Sequence, residues 1–211
     1  PWRFLNVYFN FRTSWMTREA AVAVILFALA LAGVGWRQPV LIGLAGLAGL
    51  AFLYCQAMML RSSKGIPAWC LPAISPLVLS TGLSEGAGLL LLIFSLTAAA
   101  PDWLSFLLLA LIVLRAWVWW NYKAKLAGAN AAKATLDVLA GIHMNMLIFG
   151  GALPVILMLS ALGLPAAALL LNSIAAALVL LSGWTMKFAI VTRAAHVQGY
   201  TLGQPRRLAA G

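Results

Sequence analysis

Residues 102–121 read DWLSFLLLALIVLRAWVWWN, and this stretch decides the fold. Twenty helical residues at 1.5 Å each cover about 30 Å, the thickness of a bilayer's hydrocarbon core. Beyond Asp102 at its start, Arg115 is its one charge, and its tryptophans gather toward one end. Comparable apolar runs recur at about 19–36, 38–60, 74–97, 144–162 and 164–191, giving six spans. Composition agrees: apolar residues make up 64%, charged residues 9%, and mean hydropathy is +1.00. A soluble chain of 211 residues with so few polar side chains could not cover its own core. The expectation is an all-α, polytopic transmembrane bundle forming a single domain over 1–211.

The connections sort by length. Links 98–101 and 162–164 are tight, whereas 61–73 and 122–143 are longer and polar. In the latter, Ala127, Ala131, Ala134, Val138 and Ile142 recur at helical steps, with Lys133 and Asp137 off that stripe. This predicts a short amphipathic helix lying at the membrane interface. Residues 1–18, mixed aromatic and basic, suit an interfacial segment as well.

Charge orients the bundle. Six spans place both ends of the sequence and both long connections on one side, with Arg3, Arg12, Arg18, Arg61, Lys64, Lys123, Lys125, Lys133, Arg193, Arg206 and Arg207. Arg115 and Lys187 lie in spans but nearer that side, and the opposite side holds Arg37 alone. The positive-inside rule makes the crowded side of this multi-pass protein cytoplasmic. The formal net charge of +10 is thus topogenic, with no nucleic-acid partner implied. Gly43, Gly46 and Gly49, and separately Ser80, Ser84 and Gly88, form small-residue ridges suited to close helix packing in lipid. Trp103, Trp117, Trp119, Trp120 and Trp184 read as an aromatic belt.

Three groups of residues could carry chemistry. The densest polar cluster is Arg12-Thr13-Ser14-Trp15-Met16-Thr17-Arg18-Glu19, at the entrance of span one. In one reading Thr17 caps the helix and Glu19 sits in its first turn. In the other the cluster forms an interfacial pocket with a proton-handling carboxylate. Glu85 lies about 15 Å into span three, where a charge needs a partner, hydration or a proton. Arg115 is the expected partner, either as a structural pair or within a proton or ligand site, while Lys187 snorkels to the surface. His143 and His196 sit at span ends, which argues against an intramembrane haem. Cys55 and Cys70 lack metal-site spacing, and no nucleophile, metal or phosphate-loop motif appears, so no catalytic residue is assigned.

The string PWRFLNVYFNFRTSWMTRE at 1–19 resembles a loop of the dimethyl sulfoxide reductase membrane-anchor family. Its Arg-x-Ser-Trp-x-(Ser/Thr)-Arg-Glu mark falls on Arg12, Ser14, Trp15, Thr17, Arg18 and Glu19. Ile66-Pro67-Ala68-Trp69, then Pro72 and Ser75-Pro76, is similar to the family's second mark, and KFAIVTRAAHVQG at 187–199 is a weaker match. The resemblance implies an eight-helix anchor, two of whose helices would precede Pro1 together with a quinol-linked His. It also implies no haem, and partners comprising an iron–sulfur subunit and a molybdopterin (molybdenum or tungsten) catalytic subunit.

On that basis Arg12, Trp15, Arg18 and Glu19 would bind menaquinone or ubiquinone. Arg3, Arg61, Lys64, Trp69, Lys123, Lys125 and Arg193 would dock the partners. Electrons would pass from a cytoplasmic substrate, such as sulfite or an aryl-acetyl-CoA thioester, to quinone. The alternative expectation is a small transporter or channel subunit using Glu85 and Arg115.

Overall fold

The computed structural model describes residues 11–97, 101–129 and 131–196. These form α1 (Trp15–Gly35), α2 (Pro39–Arg61), the short α3 (Pro67–Cys70), α4 (Ile74–Thr97), α5 (Asp102–Ala127), α6 (Lys133–Leu147), α7 (Leu153–Gly163) and α8 (Ala168–Phe188). A π-helical turn, Ile148–Ala152, joins α6 to α7, and a second, Ala189–Arg193, ends α8. No strand occurs among the described residues. Six helical segments are long and apolar enough to cross a membrane, and this is a multi-pass, all-α membrane protein.

Helix α1 starts earlier than the sequence suggests. Ser14 is extended, and its hydroxyl accepts the Thr17 N–H at 3.4 Å, so Ser14 caps the helix. Thr17 is buried inside α1, and Glu19 lies in the second turn rather than beside the helix start. The reversal into α2 puts Arg37 at φ 52°, and Pro39 opens α2, where its missing N–H leaves nothing unpaired. A methyl group at Gly33 would come within 2.9 Å of Ile42 Cγ1 and 3.1 Å of its backbone N, so glycine lets the two helices close here. The Gly43–Gly46 part of the expected ridge faces no other element, whereas Ser84 and Gly88 do lie against α5 and α8.

The expected interfacial helix in 122–143 is replaced by something simpler. Helix α5 runs on to Ala127, and α6 begins at Lys133 as the first part of the fifth span. Of the stripe, Ala131, Val138 and Ile142 pack on a core containing Trp119, Tyr122 and Leu139, while Ala127 and Ala134 stay exposed. Three of the five stripe residues therefore face protein rather than the membrane surface. Trp119 is fully buried and so leaves the aromatic belt, whose other members remain exposed. The 61–73 connection is pinned to this core: Tyr122 Oη donates to Ala68 O at 2.7 Å and Trp69 Nε1 to Ile190 O at 2.9 Å.

Arg115 is 1% exposed at the centre of the bundle, and Glu85 is not its partner. Pro154 has no N–H for the carbonyl four residues back, which is that of Gly150. The chain answers with the π turn, in which Leu153 N–H reaches Ile148 O. Arg115 Nη2 then donates to the freed Gly150 carbonyl and, at 3.2 Å, to Ser182 Oγ, while Nη1 reaches Val179 O at 3.3 Å. Carbonyl dipoles thus take the place of a counter-ion. A methyl group at Gly150 would fall 2.9 Å from Nη2, so the position must stay bare.

Removing this guanidinium strips the Gly150 carbonyl of its donor, while Val179 O keeps the Ser182 hydroxyl at 3.0 Å. Arg115→Met is expected to lower stability in detergent micelles by roughly 2–4 kcal/mol. Adding Pro154→Ala restores an N–H near Gly150 and should recover about 1 kcal/mol. Thermal unfolding of both variants checks this, and no recovery would mean that the Gly150 carbonyl is not the group that suffers.

Candidate functional site

The hairpin α1–α2 touches the rest of the bundle mainly through α2 on α4, while α4 also packs on α5 and α8. Between the hairpin and α8 a crevice remains at the basic end. Its outer part is a cavity of about 390 Å³, within the range of small-molecule sites. The walls are apolar (Met59, Val78, Ile190 among them), with three polar side chains: Glu19, Gln56 and Lys187. Next to it a largely open groove of about 640 Å³ shares Gln56 and Lys187 and adds Phe52, Leu53, Glu85 and Trp184.

Of the polar cluster that the sequence singles out, Glu19 lines the outer cavity. The arginines are spent elsewhere. Arg18 donates from Nε to Phe11 O at 2.9 Å and from Nη2 to Arg12 O at 2.6 Å, with its guanidinium 4.3 Å from the Trp15 ring centroid. Trp15 in turn meets Tyr54 of α2 edge-on at 5.9 Å. Arg18 and Trp15 therefore clamp the approach to α1, and Arg12 is exposed, contributing its carbonyl.

Glu85 takes Lys187 as its partner, Nζ to Oε2 at 2.5 Å. Lys187 does not snorkel away, because α8 packs directly on α4 and sets its amine above the carboxylate. Pairing leaves neither charge bare in lipid. Of the expected docking residues, Arg61, Lys64, Lys125 and Arg193 are exposed, Lys123 is partly covered, and Arg3 lies outside the described residues. Trp69 has its indole N–H committed to Ile190 and acts as an internal pin. His143 accepts a hydrogen bond from Trp119 Nε1 at 3.0 Å, and His196 is exposed.

Gln56 and Lys187 are the site residues that sequence reasoning passes over. Gln56 is a lone amide in an apolar span, and its depth was the available signal. Lys187 resembles a topogenic charge at a span end.

A double-mutant cycle distinguishes the observed pair from the expected one. Glu85→Gln with Lys187→Met should show a coupling of roughly 1–3 kcal/mol, since removing either partner leaves the other charge unpaired. Glu85→Gln with Arg115→Met should show less. A larger coupling to Arg115 would contradict the Lys187 assignment.

No protein-family model, curated protein or solved structure matches the chain significantly, so a functional reading rests on these side chains and their placement.

Proposed function

We propose that this chain is the quinone-reactive membrane anchor of a molybdenum or tungsten oxidoreductase, holding an iron–sulfur subunit and a molybdopterin catalytic subunit on the bacterial inner membrane. The observation that carries the reading is the outer cavity: an apolar slot at the basic end, with one carboxylate, one amide and one ammonium on its walls. Quinone reduction consumes two electrons and two protons. Electrons arrive from a cluster in the docked iron–sulfur subunit, which fixes the ring's place at the end where that subunit sits.

The chain's own groups supply the rest. Glu19, one turn inside α1 and near water, hands protons to a quinone oxygen and is recharged from the aqueous side. Lys187 and Gln56 donate hydrogen bonds to oxygens of the ring, and the ammonium favours the developing quinol anion. That role falls to Lys187 rather than to Arg12 or Arg18, whose cluster is organised around the start of α1. The apolar walls of the open groove beside it, Phe52 and Leu53 among them, offer room for the isoprenoid tail. Arg61, Lys64, Lys125 and Arg193 form the exposed docking face, cytoplasmic by the positive-inside rule. A transporter built on Arg115 is less well served, because that side chain is held by three internal acceptors.

The test is made on the complex purified through this chain. Two soluble partners, one rich in iron–sulfur clusters, should copurify. Glu19→Gln should leave that complex assembled and active with an artificial soluble acceptor, but slow quinone turnover at least about tenfold. Unchanged quinone turnover rejects the proton relay, and isolation as a single-component homo-oligomer favours transport.

Sidedness has its own check. A reporter fused at the C-terminus should be active only when the fusion point is cytoplasmic. Activity confined to the opposite compartment overturns the orientation.

A further inference from the structure

Helix α5 is longer than the membrane it crosses. Its 26 residues cover about 39 Å, so counting 30 Å from Asp102 puts the edge of the hydrocarbon near residue 122. Trp103 and Trp120, 61% and 63% exposed, bracket that length as belt tryptophans do. At the second edge Trp120, Lys123, Ala124 and His143 line a cavity of about 260 Å³ between α5 and α6. This is the depth at which lipid phosphates lie.

The lining is a set of donors. Lys123 brings an ammonium and Trp120 an indole N–H. His143 is fixed by its neighbour: the Trp119 indole can only donate, so Nδ1 of His143 accepts, and the neutral ring carries its proton on Nε2 as a further donor. Stacking on Trp119 and contact with Trp120 hold the imidazole in place, with ring centroids 6.4 and 6.0 Å away. None of the four lining residues is acidic. Below the cavity Trp117, Val113 and Phe106 continue from Trp120 at helical spacing as an exposed apolar stripe along α5. A phosphate held in the cavity would have its acyl chains over that stripe.

We propose that this cavity binds the phosphodiester headgroup of an anionic phospholipid. The same donors would take free phosphate, but the apolar stripe below them adds a place for acyl chains that the free anion does not use. The site is separate from the quinone crevice and does not rest on it.

The full chain in nonionic detergent can be titrated with phosphatidylglycerol, with phosphatidylcholine of the same acyl chains, and with inorganic phosphate. Bound lipid is counted by native mass spectrometry. Phosphatidylglycerol should bind several-fold more tightly than phosphatidylcholine. Lys123→Gln should weaken it about fivefold, the share of one cation near a lipid phosphate, and Lys123→Arg should retain it. His143→Phe keeps an aromatic ring but no donor and should weaken it further; a misfolded His143 variant still leaves the Lys123 pair to decide. Equal binding of the two lipids, with Lys123→Gln unchanged, overturns the proposal. So does displacement of phosphatidylglycerol by millimolar inorganic phosphate, which assigns the cavity to the free anion. If Lys123→Gln spares lipid binding but releases a soluble partner, the cavity is a docking surface and the lipid assignment falls.

Discussion

One guanidinium fixes where the rest of this bundle sits. Arg115 enters the membrane interior from α5 and is satisfied by acceptors on two other segments, Gly150 in the π turn and Val179 and Ser182 on α8. Apolar packing in lipid has little power to set helix register, since a tail is as good a neighbour as a leucine. A buried cation with three directional hydrogen bonds does set it. The defect that makes this possible is Pro154, whose absent N–H exposes the carbonyl that Arg115 requires. Charge and defect answer each other, and neither would be tolerable alone.

The register of α8 carries this constraint toward the crevice. Ser182 and Lys187 lie on the same helix about 7.5 Å apart along its axis, so the α8 that meets Arg115 also delivers Lys187 to Glu85. The ion pair then holds the ammonium at the boundary between the outer cavity and the open groove. Glu19 and Gln56 come from the other side, on a hairpin whose own closure depends on Gly33 against Ile42 and on the Trp15–Tyr54 contact. The polar groups of the outer cavity are thus contributed by two bodies, a core locked by Arg115 and a peripheral hairpin resting on α4 through α2.

Hydropathy made the six spans legible, because the bilayer imposes a length that sequence must meet. The Ser84–Gly88 ridge was legible for a related reason: small residues at four-residue steps are costly unless another helix uses them. What local spacing cannot reveal is which helices become neighbours. Glu85 was assigned to Arg115 because a tight link makes α4 and α5 adjacent, and they are; but α4 also packs on α8, 102 residues away, and the carboxylate turns there. Thr17 is the cap the sequence suggests, and the extended backbone at Ser14 places the cap three residues earlier. That earlier start puts Glu19 in the second turn of α1, where it lines the outer cavity. In 122–143 the amphipathic pattern read as an interfacial helix, and Trp119 and Tyr122 supplied the protein partner that turned Ala131, Val138 and Ile142 inward.

The basic end owes its rigidity to hydrogen bonds that sequence patterns leave unmarked. Tyr122 to Ala68, Trp69 to Ile190, Thr135 to Ala194 and Trp119 to His143 join α3, α5, α6 and the end of α8. Each gives a backbone carbonyl or a ring nitrogen at this end a side-chain donor from another segment. A surface built this way presents exposed cations such as Arg61, Lys64, Lys125 and Arg193 from a fixed frame. Preorganisation of that kind suits docking, since little side-chain and loop ordering is left to be done on association. Among the described residues the hairpin α1–α2 meets the bundle mainly through α2 on α4, and the crevice opens on the side of α8. On the proposed reading, a ring dissolved in the bilayer therefore enters sideways between α2 and α8, past the less constrained wall, while the docked partner stays on the rigid one.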